Sequence, residues 1–288
     1  MAQLEIVAPP LRAFPYAKWD PVLPALCDEY RTSRPSPHLY LGEFLEEDTA
    51  KAIARSFPDP LAPGWTHYKH QNENKLGMTK RVLFPGILGR VVDELNSRQF
   101  VEWLTELTGI SGLVPDPALD GGGLHQASRG GFLNLHTDFT AHHYQKNWRR
   151  RLNLILYLTP QWRNEWGGAL EFWDSRTRIC LAKYPSFFNH AVIFNTDDRA
   201  LHGFPEPLQC PERTTRNSLA LYYYTVEDGP KPVARSTDYR ARPADSRKKA
   251  ALIWLDKHAV SIYSKIKKRF GFSDNLASKI LGFTSRRK

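Results

Sequence analysis

A chain of 288 residues with 41% hydrophobic and 12% aromatic residues is large and apolar enough to bury a substantial core in one large domain, or in one domain with appendages. Its 40 basic and 30 acidic residues leave a net charge of +10. No stretch approaches the ~18 apolar residues needed to cross a bilayer, and three widely spaced cysteines, Cys27, Cys180 and Cys210, offer neither a disulfide framework nor a zinc pattern.

The first residues, MAQLEIVAPPLRAFPY, lack a basic region followed by an apolar run, so no secretory signal is expected. Together with the few cysteines this gives a cytoplasmic address as the expectation. Residues 1–38, rich in Pro and aromatics, predict an N-terminal extension with at most one short helix before a Pro-punctuated linker. HLYLGEF then reads as an edge strand, and EEDTAKAIARSF as a helix whose acidic first turn faces the positive end of the macrodipole. GRVVDELNSRQFVEWLTELTG predicts one longer helix. Val91, Leu95, Phe100, Leu104 and Leu107 form its apolar stripe and Gly109 ends it. The polar, Gly-rich DPALDGGGLHQASRGG follows, with His125 and Gln126 on a strand leading onward; for His125 a structural role and a site contact both stay open.

In GGFLNLHTDFT, Phe132 to Asp138 reads as a strand, and the i, i+2 spacing puts His136 and Asp138 on one face, where a metal could bridge them. FTAHHYQKNWRRR comes next. Its His142 and His143 lack the spacing of the other ligands. RTRICLAKYPSFFNHAVIFNT predicts two strands with Ile179, Leu181, Phe188, Val192 and Phe194 in the core, and with His190 as a satisfied loop histidine. LHGFP then supplies His202. Two imidazoles and one carboxylate on one face make a facial triad that leaves three positions open on Fe(II). Fourteen residues later RNSLALYYYT reads as a strand whose period of two sends Arg216, Ser218, Ala220, Tyr222 and Tyr224 to one side. A guanidinium fork beside a hydroxyl is what a buried carboxylate needs.

Residues 231–288 hold nine lysines and seven arginines against four aspartates, a net +12 that leaves the rest of the chain at −2. RKKAALIWLDKHAVSIYSKIKKRFGF predicts a helix with Leu252, Leu255, Ala259, Ile262, Ile266 and Phe270 as its stripe and Gly271 as its stop, followed by a short helix in SDNLASKILG. Two readings of this basic tail stay open. Either the stripe docks on the main domain, which the bulk of Trp254, Tyr263 and Phe270 favours, or the lysines meet an anionic surface such as acidic lipid or nucleic acid.

HTD, then HG, then RNS on a strand resembles the Fe(II)/2-oxoglutarate-dependent dioxygenase superfamily, close to its prolyl 4-hydroxylase-like branch. The resemblance spans roughly Tyr40 to Thr225 and takes in WGGALEFWD, similar to the family's Gly-Gly turn, and RLNLILYLTPQW, similar to its strand with a 2-oxoglutarate-contacting tyrosine, here Tyr157. It implies a mainly β chain with flanking helices, built on a double-stranded β-helix or jelly-roll barrel over residues 39–230, which the short strands separated by Gly, Pro and Asp turns also fit. It further implies iron on His136, Asp138 and His202, and 2-oxoglutarate held by Arg216 and Ser218, with ascorbate as an accessory reductant. The expected reaction hydroxylates an unactivated C–H bond of a prolyl residue, amino acid or small metabolite, releasing succinate and CO2. Retention of Asp138 favours hydroxylation over halogenation. The loop after Asp138 would then lie over the site mouth as a substrate-reading segment, or be a plain polar loop. A non-catalytic barrel that senses 2-oxoglutarate or binds a partner is the rival reading.

Overall fold

The computed structural model of the protein describes residues 13–270 except 177, 198, 230 and 231, with side chains as far as residue 259. Its strands are β1 (His38–Leu41), β2 (Thr66–His70), β3 (Glu73–Met78), β4 (Leu113–Pro115), β5 (Gly123–Ala127), β6 (Phe132–Thr137), β7 (Trp148–Tyr157), β8 (Leu170–Trp173), β9 (Cys180–Tyr184), β10 (His190–Asn195), β11 (Leu201–Phe204), β12 (Arg216–Val226) and β13 (Asp238–Tyr239). The helices are α1 (Tyr16–Trp19), α2 (Leu23–Thr32), α3 (Glu47–Arg55), α4 (Gly86–Leu95), α5 (Arg98–Thr108) and α6 (Arg247–Phe270).

Every strand pairing is antiparallel, and the order β1-β10-β7-β12-β5-β3-β6-β11-β8-β9 folds the sheet into a jelly-roll barrel. One half is β1-β10-β7-β12-β5 and the other is β6-β11-β8-β9. β3 joins them, pairing with β5 through Leu76–Met78 and with β6 through Glu73 and Asn74. Period-two patterning sorts the faces. Leu152, Leu154, Leu156, Leu219, Leu221 and Tyr223 point out of the barrel into the main core, where α4 and α5 supply Leu88, Val91, Phe100 and Leu104. Tyr157, Leu170, Phe172, Val192 and Phe194 form a second core cluster.

Several expectations need correction. The single long helix is two, because Ser97 turns out of helical conformation and its hydroxyl accepts the Phe100 amide at 3.3 Å, capping α5. Its five stripe residues are nonetheless all buried, and Gly109 ends α5 at φ 69. The described residues before 38 contain two α-helices and place Phe14, Trp19, Leu23 and Tyr30 in the main core. Ile179 and Leu181 are exposed, since the last strand of the sheet turns Ala182 and Tyr184 inward instead. The polar hairpin β2–β3 has no counterpart in the sequence reading.

The C-terminal segment also departs from expectation. β13 pairs with β6, setting Asp238 opposite Thr137 and Tyr239 opposite His136, so the segment after 230 extends the barrel sheet. The α6 helix, capped by Ser246, docks through Ile253, Asp256 and Lys257: Asp256 meets the His70 ring at 2.7 Å and the Asn72 amide at 2.6 Å, and Lys257 pairs with Asp238. The described part of the expected stripe faces outward, with Leu252 39% and Leu255 56% exposed, because the polar partners of Asp256 and Lys257 turn Ile253 inward in their place. The helix expected over 273–282 and the side chains of Ile262, Tyr263, Ile266 and Phe270 lie outside the described residues. Among the described residues no helix is long and apolar enough to cross a membrane.

His70 makes this docking pH-dependent. Burial alone would lower its pKa, but bonds to Asp256 and Glu73 outweigh it and raise the value from 6.5 to about 9. A group with a raised folded pKa contributes stability below its unfolded value and loses it as pH climbs through the folded one. Protection of the α6 amides against hydrogen exchange, corrected for intrinsic rates, should therefore weaken between pH 6.5 and 9 by up to about 3 kcal/mol, and His70→Gln should remove that dependence. A flat profile in the wild type would show that α6 is held by other contacts.

Candidate metal centre and its cavity

Antiparallel pairing of β6 with β11 sets His136 directly opposite His202, with ring centroids 4.4 Å apart. Gly203 permits the approach: a Cβ there would meet the Leu133 carbonyl at 2.8 Å and that of Asn134 at 2.9 Å. Each imidazole donates its Nδ1–H to a backbone carbonyl two residues earlier, His136 to Asn134 at 2.9 Å and His202 to Ala200 at 2.8 Å. That bond fixes the tautomer and leaves both Nε2 lone pairs free. His136 Nε2 lies 3.8 Å from Asp138 Oδ1, and His202 Nε2 lies 3.6 Å from Asp138 Oδ2. The donor atoms of the three residues fall within 4.8 Å of one another, a group able to hold a metal ion.

Their protonation suits a cation. Burial, reinforced by the neighbouring His202, lowers His136 to about 4, and burial likewise lowers His202. Burial would raise Asp138, but Arg150, then His202 and His136, hold it down at about 2. Near neutral pH the three are two neutral imidazoles and one carboxylate, the forms in which these residues bind metals.

The triad lines a cavity of about 240 Å³ that also receives Arg216, Ser218, Ala220 and Tyr222 from β12. The expected alternation along β12 therefore holds as far as Tyr222; Tyr224 packs against His142 and Trp148 instead. Arg216 is 7% exposed, its Nε donating to the Gly168 carbonyl (2.9 Å) and the Ser186 hydroxyl (2.8 Å), with Tyr157 and Phe204 rings against the guanidinium. Burial lowers its pKa, yet a guanidinium remains charged at neutral pH. Among the described residues it has no carboxylate partner, an arrangement that fits an incoming carboxylate. Tyr157 stands behind Arg216, 4.7 Å from ring to guanidinium, and is not part of the cavity wall.

His142 and His143 are turned away from the triad. Nδ1 of His142 accepts the amides of Tyr144 and Gln145, and His143 bonds Asp120 at 2.7 Å, so both pin the loop after Asp138. His125 does face the cavity, with its Nδ1 unpartnered and burial lowering its pKa to about 3. Sequence reasoning missed several wall residues: Tyr68, Glu73 and Lys75 of the β2–β3 hairpin, Thr237 and Tyr239 of the C-terminal segment, and Arg150 with Asn153 on β7. The hairpin is too polar to show a strand pattern, and Tyr239 comes from a segment whose composition reads as a tail.

The Gly-Gly turn supports Arg216 directly. Gly168 has φ +76, and a Cβ there would lie 2.8 Å from Arg216 Cδ and 2.7 Å from Leu208 Cδ2. Gly168→Ala should cost about 2–4 kcal/mol in urea unfolding, as backbone strain adds to overpacking. A cost under about 1 kcal/mol would show that the turn yields and does not hold Arg216 in place.

A sequence profile of the 2OG-Fe(II) oxygenase superfamily matches residues 122–224. Among solved structures, a Pseudomonas putida prolyl-4-hydroxylase is similar at 16% identity, covering 71% of this chain and 100% of its own, with a TM-score of 0.51. A Trichoplax adhaerens prolyl hydroxylase, solved with a hypoxia inducible factor peptide, is similar at 12% identity, covering 72% of this chain and 91% of its own, with a TM-score of 0.53. Comparison with curated proteins gave no sequence match. The barrel, the profile over β5 to β12 and the His136, Asp138 and His202 cluster agree: residues 122–224 match the 2OG-Fe(II) oxygenase superfamily, and the chain has the fold seen in prolyl 4-hydroxylases.

Proposed function

We propose that the protein is an Fe(II)- and 2-oxoglutarate-dependent dioxygenase that hydroxylates an unactivated C–H bond. The observation carrying this reading is that one cavity holds both the two-histidine, one-carboxylate cluster and a buried guanidinium without a carboxylate partner among the described residues. His136, Asp138 and His202 would hold the iron on one side and leave the cavity side open. Arg216, with Ser218 beside it on the same face, would take the distal carboxylate of 2-oxoglutarate. When bound, the iron and 2-oxoglutarate supply oxygen activation, consuming O2 and releasing succinate and CO2 as one oxygen atom enters the substrate. The chain's own part is to hold three ligands on one face, anchor the co-substrate and keep water from the walls. Two prolyl hydroxylases of like fold, one solved with a peptide, make a prolyl residue in a peptide the first substrate class to test; a free amino acid and a small metabolite are the others.

The deciding experiment incubates the protein with Fe(II), 2-oxoglutarate and O2, follows succinate, and seeks by mass spectrometry a gain of one oxygen on prolyl peptides and on metabolite extracts. Binding of 2-oxoglutarate without any succinate would make the protein a sensor instead. His136→Ala, Asp138→Ala and His202→Ala should each abolish metal binding and turnover, because two protein ligands are too few to hold a labile ion. Arg216→Ala should raise the apparent 2-oxoglutarate constant roughly a hundredfold, about 3 kcal/mol for a desolvated charge-assisted pair, and leave metal affinity nearly unchanged. An unchanged 2-oxoglutarate constant would place the carboxylate anchor elsewhere.

A further inference from the structure

We propose that Arg150 and Asn153 act as a positioning clamp on Asp138, fixing the plane of its carboxylate and thereby setting the metal affinity of the centre. The inference rests on the metal-centre reading above and concerns residues outside the expected ligand set.

Arg150 and Asn153 lie three apart on β7, a spacing that would put them on opposite faces of a regular strand. They share a face because β7 bulges: Asn153 pairs with Tyr222 and Leu152 with Tyr223, but Tyr224 pairs with Arg150, so Arg151 is the extra residue. Bulges re-aim side chains near active sites. Here both side chains are aimed into the cavity behind Asp138.

The bonding runs in one direction. Arg150 donates through Nε (2.9 Å) and Nη2 (2.7 Å) to Asn153 Oδ1, and Asn153 Nδ2 donates to Asp138 Oδ2 at 2.8 Å. With its oxygen taken by the guanidinium, the Asn153 amide has one sensible orientation, its NH2 toward the carboxylate. Arg150 Nη2 meets the other carboxylate oxygen, Oδ1, at 3.3 Å. The guanidinium cannot swing away, since it is 2% exposed and lies between the rings of Tyr222 (3.4 Å) and Phe139 (4.3 Å).

An aspartate on a strand end is otherwise free to rotate about its terminal bond, and a rotated carboxylate can present both oxygens to a metal and fill a position that a co-substrate needs. Engaging each oxygen by a separate donor removes that freedom. Outer partners of this kind typically govern metal affinity by 10–100-fold.

The test titrates Co(II) alone into the full chain by calorimetry, with folding checked by circular dichroism and the visible spectrum of bound Co(II) recorded to report its coordination. Asn153→Leu keeps the volume of the side chain and removes the donor, and Asn153→Ala serves as the second variant if leucine does not fold. The expected result is a roughly 10–100-fold weaker Co(II) affinity, an altered visible spectrum and a folded protein. A folded Asn153 variant that binds Co(II) within about threefold of wild type, with the wild-type spectrum, overturns the clamp, because its loss falls below the range set by such partners. Asp138→Ala separates the two readings. If it binds Co(II) as the wild type does, the metal centre itself is misplaced; if it alone loses Co(II), the centre stands and the clamp falls.

Discussion

Antiparallel pairing of β6 with β11 is the constraint on which the site depends. Register in a sheet is set to one residue, and a slip by one would send His136 or His202 to the opposite face. Here Leu135, on the other face from His136, is 1% exposed, so its burial favours the register that makes the histidines neighbours. Gly203 allows the backbones to close at that point, and the Nδ1 bonds of both imidazoles to main-chain carbonyls turn a pairing of strands into a pair of aimed lone pairs. The remaining elements serve this geometry: β12 brings Arg216 to the cavity, β7 supports Asp138, and α1 to α5 cover the outer face of the opposite sheet.

The cavity contains two buried guanidinium groups in different electrostatic situations. Arg150 is compensated by Asp138, with aromatic rings on either side, and the pair holds the carboxylate ionised. Arg216 is desolvated to a similar degree, but its Nε bonds go to neutral oxygens only. A buried cation met only by dipoles is poorly offset, so the interior is more favourable with an anion beside Arg216 than without one. Under the proposed function the two arginines would divide the labour, Arg150 serving the chain's own carboxylate and Arg216 the one that enters.

Much of this was legible in the sequence wherever a short-range pattern carries the information. The i, i+2 spacing of His136 and Asp138, the alternation from Arg216 to Tyr222 and the glycine after His202 are local, and a strand translates them directly into shared faces. What stayed hidden depends on departures from periodicity or on distant partners. Arg150 and Asn153 have the wrong spacing until the bulge at Arg151 is known. The break between α4 and α5 turns on one capping serine within an unbroken apolar stripe. The outward Leu252 and Leu255 show the opposite failure. Their helical spacing is real, yet α6 docks by Asp256 and Lys257 because the surface it meets offers His70, Asn72 and Asp238.

The edge of β6 is covered in two pieces, by β3 against Phe132 and Leu133 and by β13 against His136 and Thr137. The second piece follows its partner by about a hundred residues in the chain. Synthesis from the N-terminus therefore completes the twelve earlier strands of the described residues before β13 exists, and the nascent barrel carries a short open edge beside the buried His136 and Thr137. Open edges invite pairing with other chains. A chain cut after Val226 would keep every residue of the triad together with Arg216 and Ser218, but it would keep them in a sheet able to recruit a foreign strand. The two residues of β13 are thus what separates a closed edge from a sticky one.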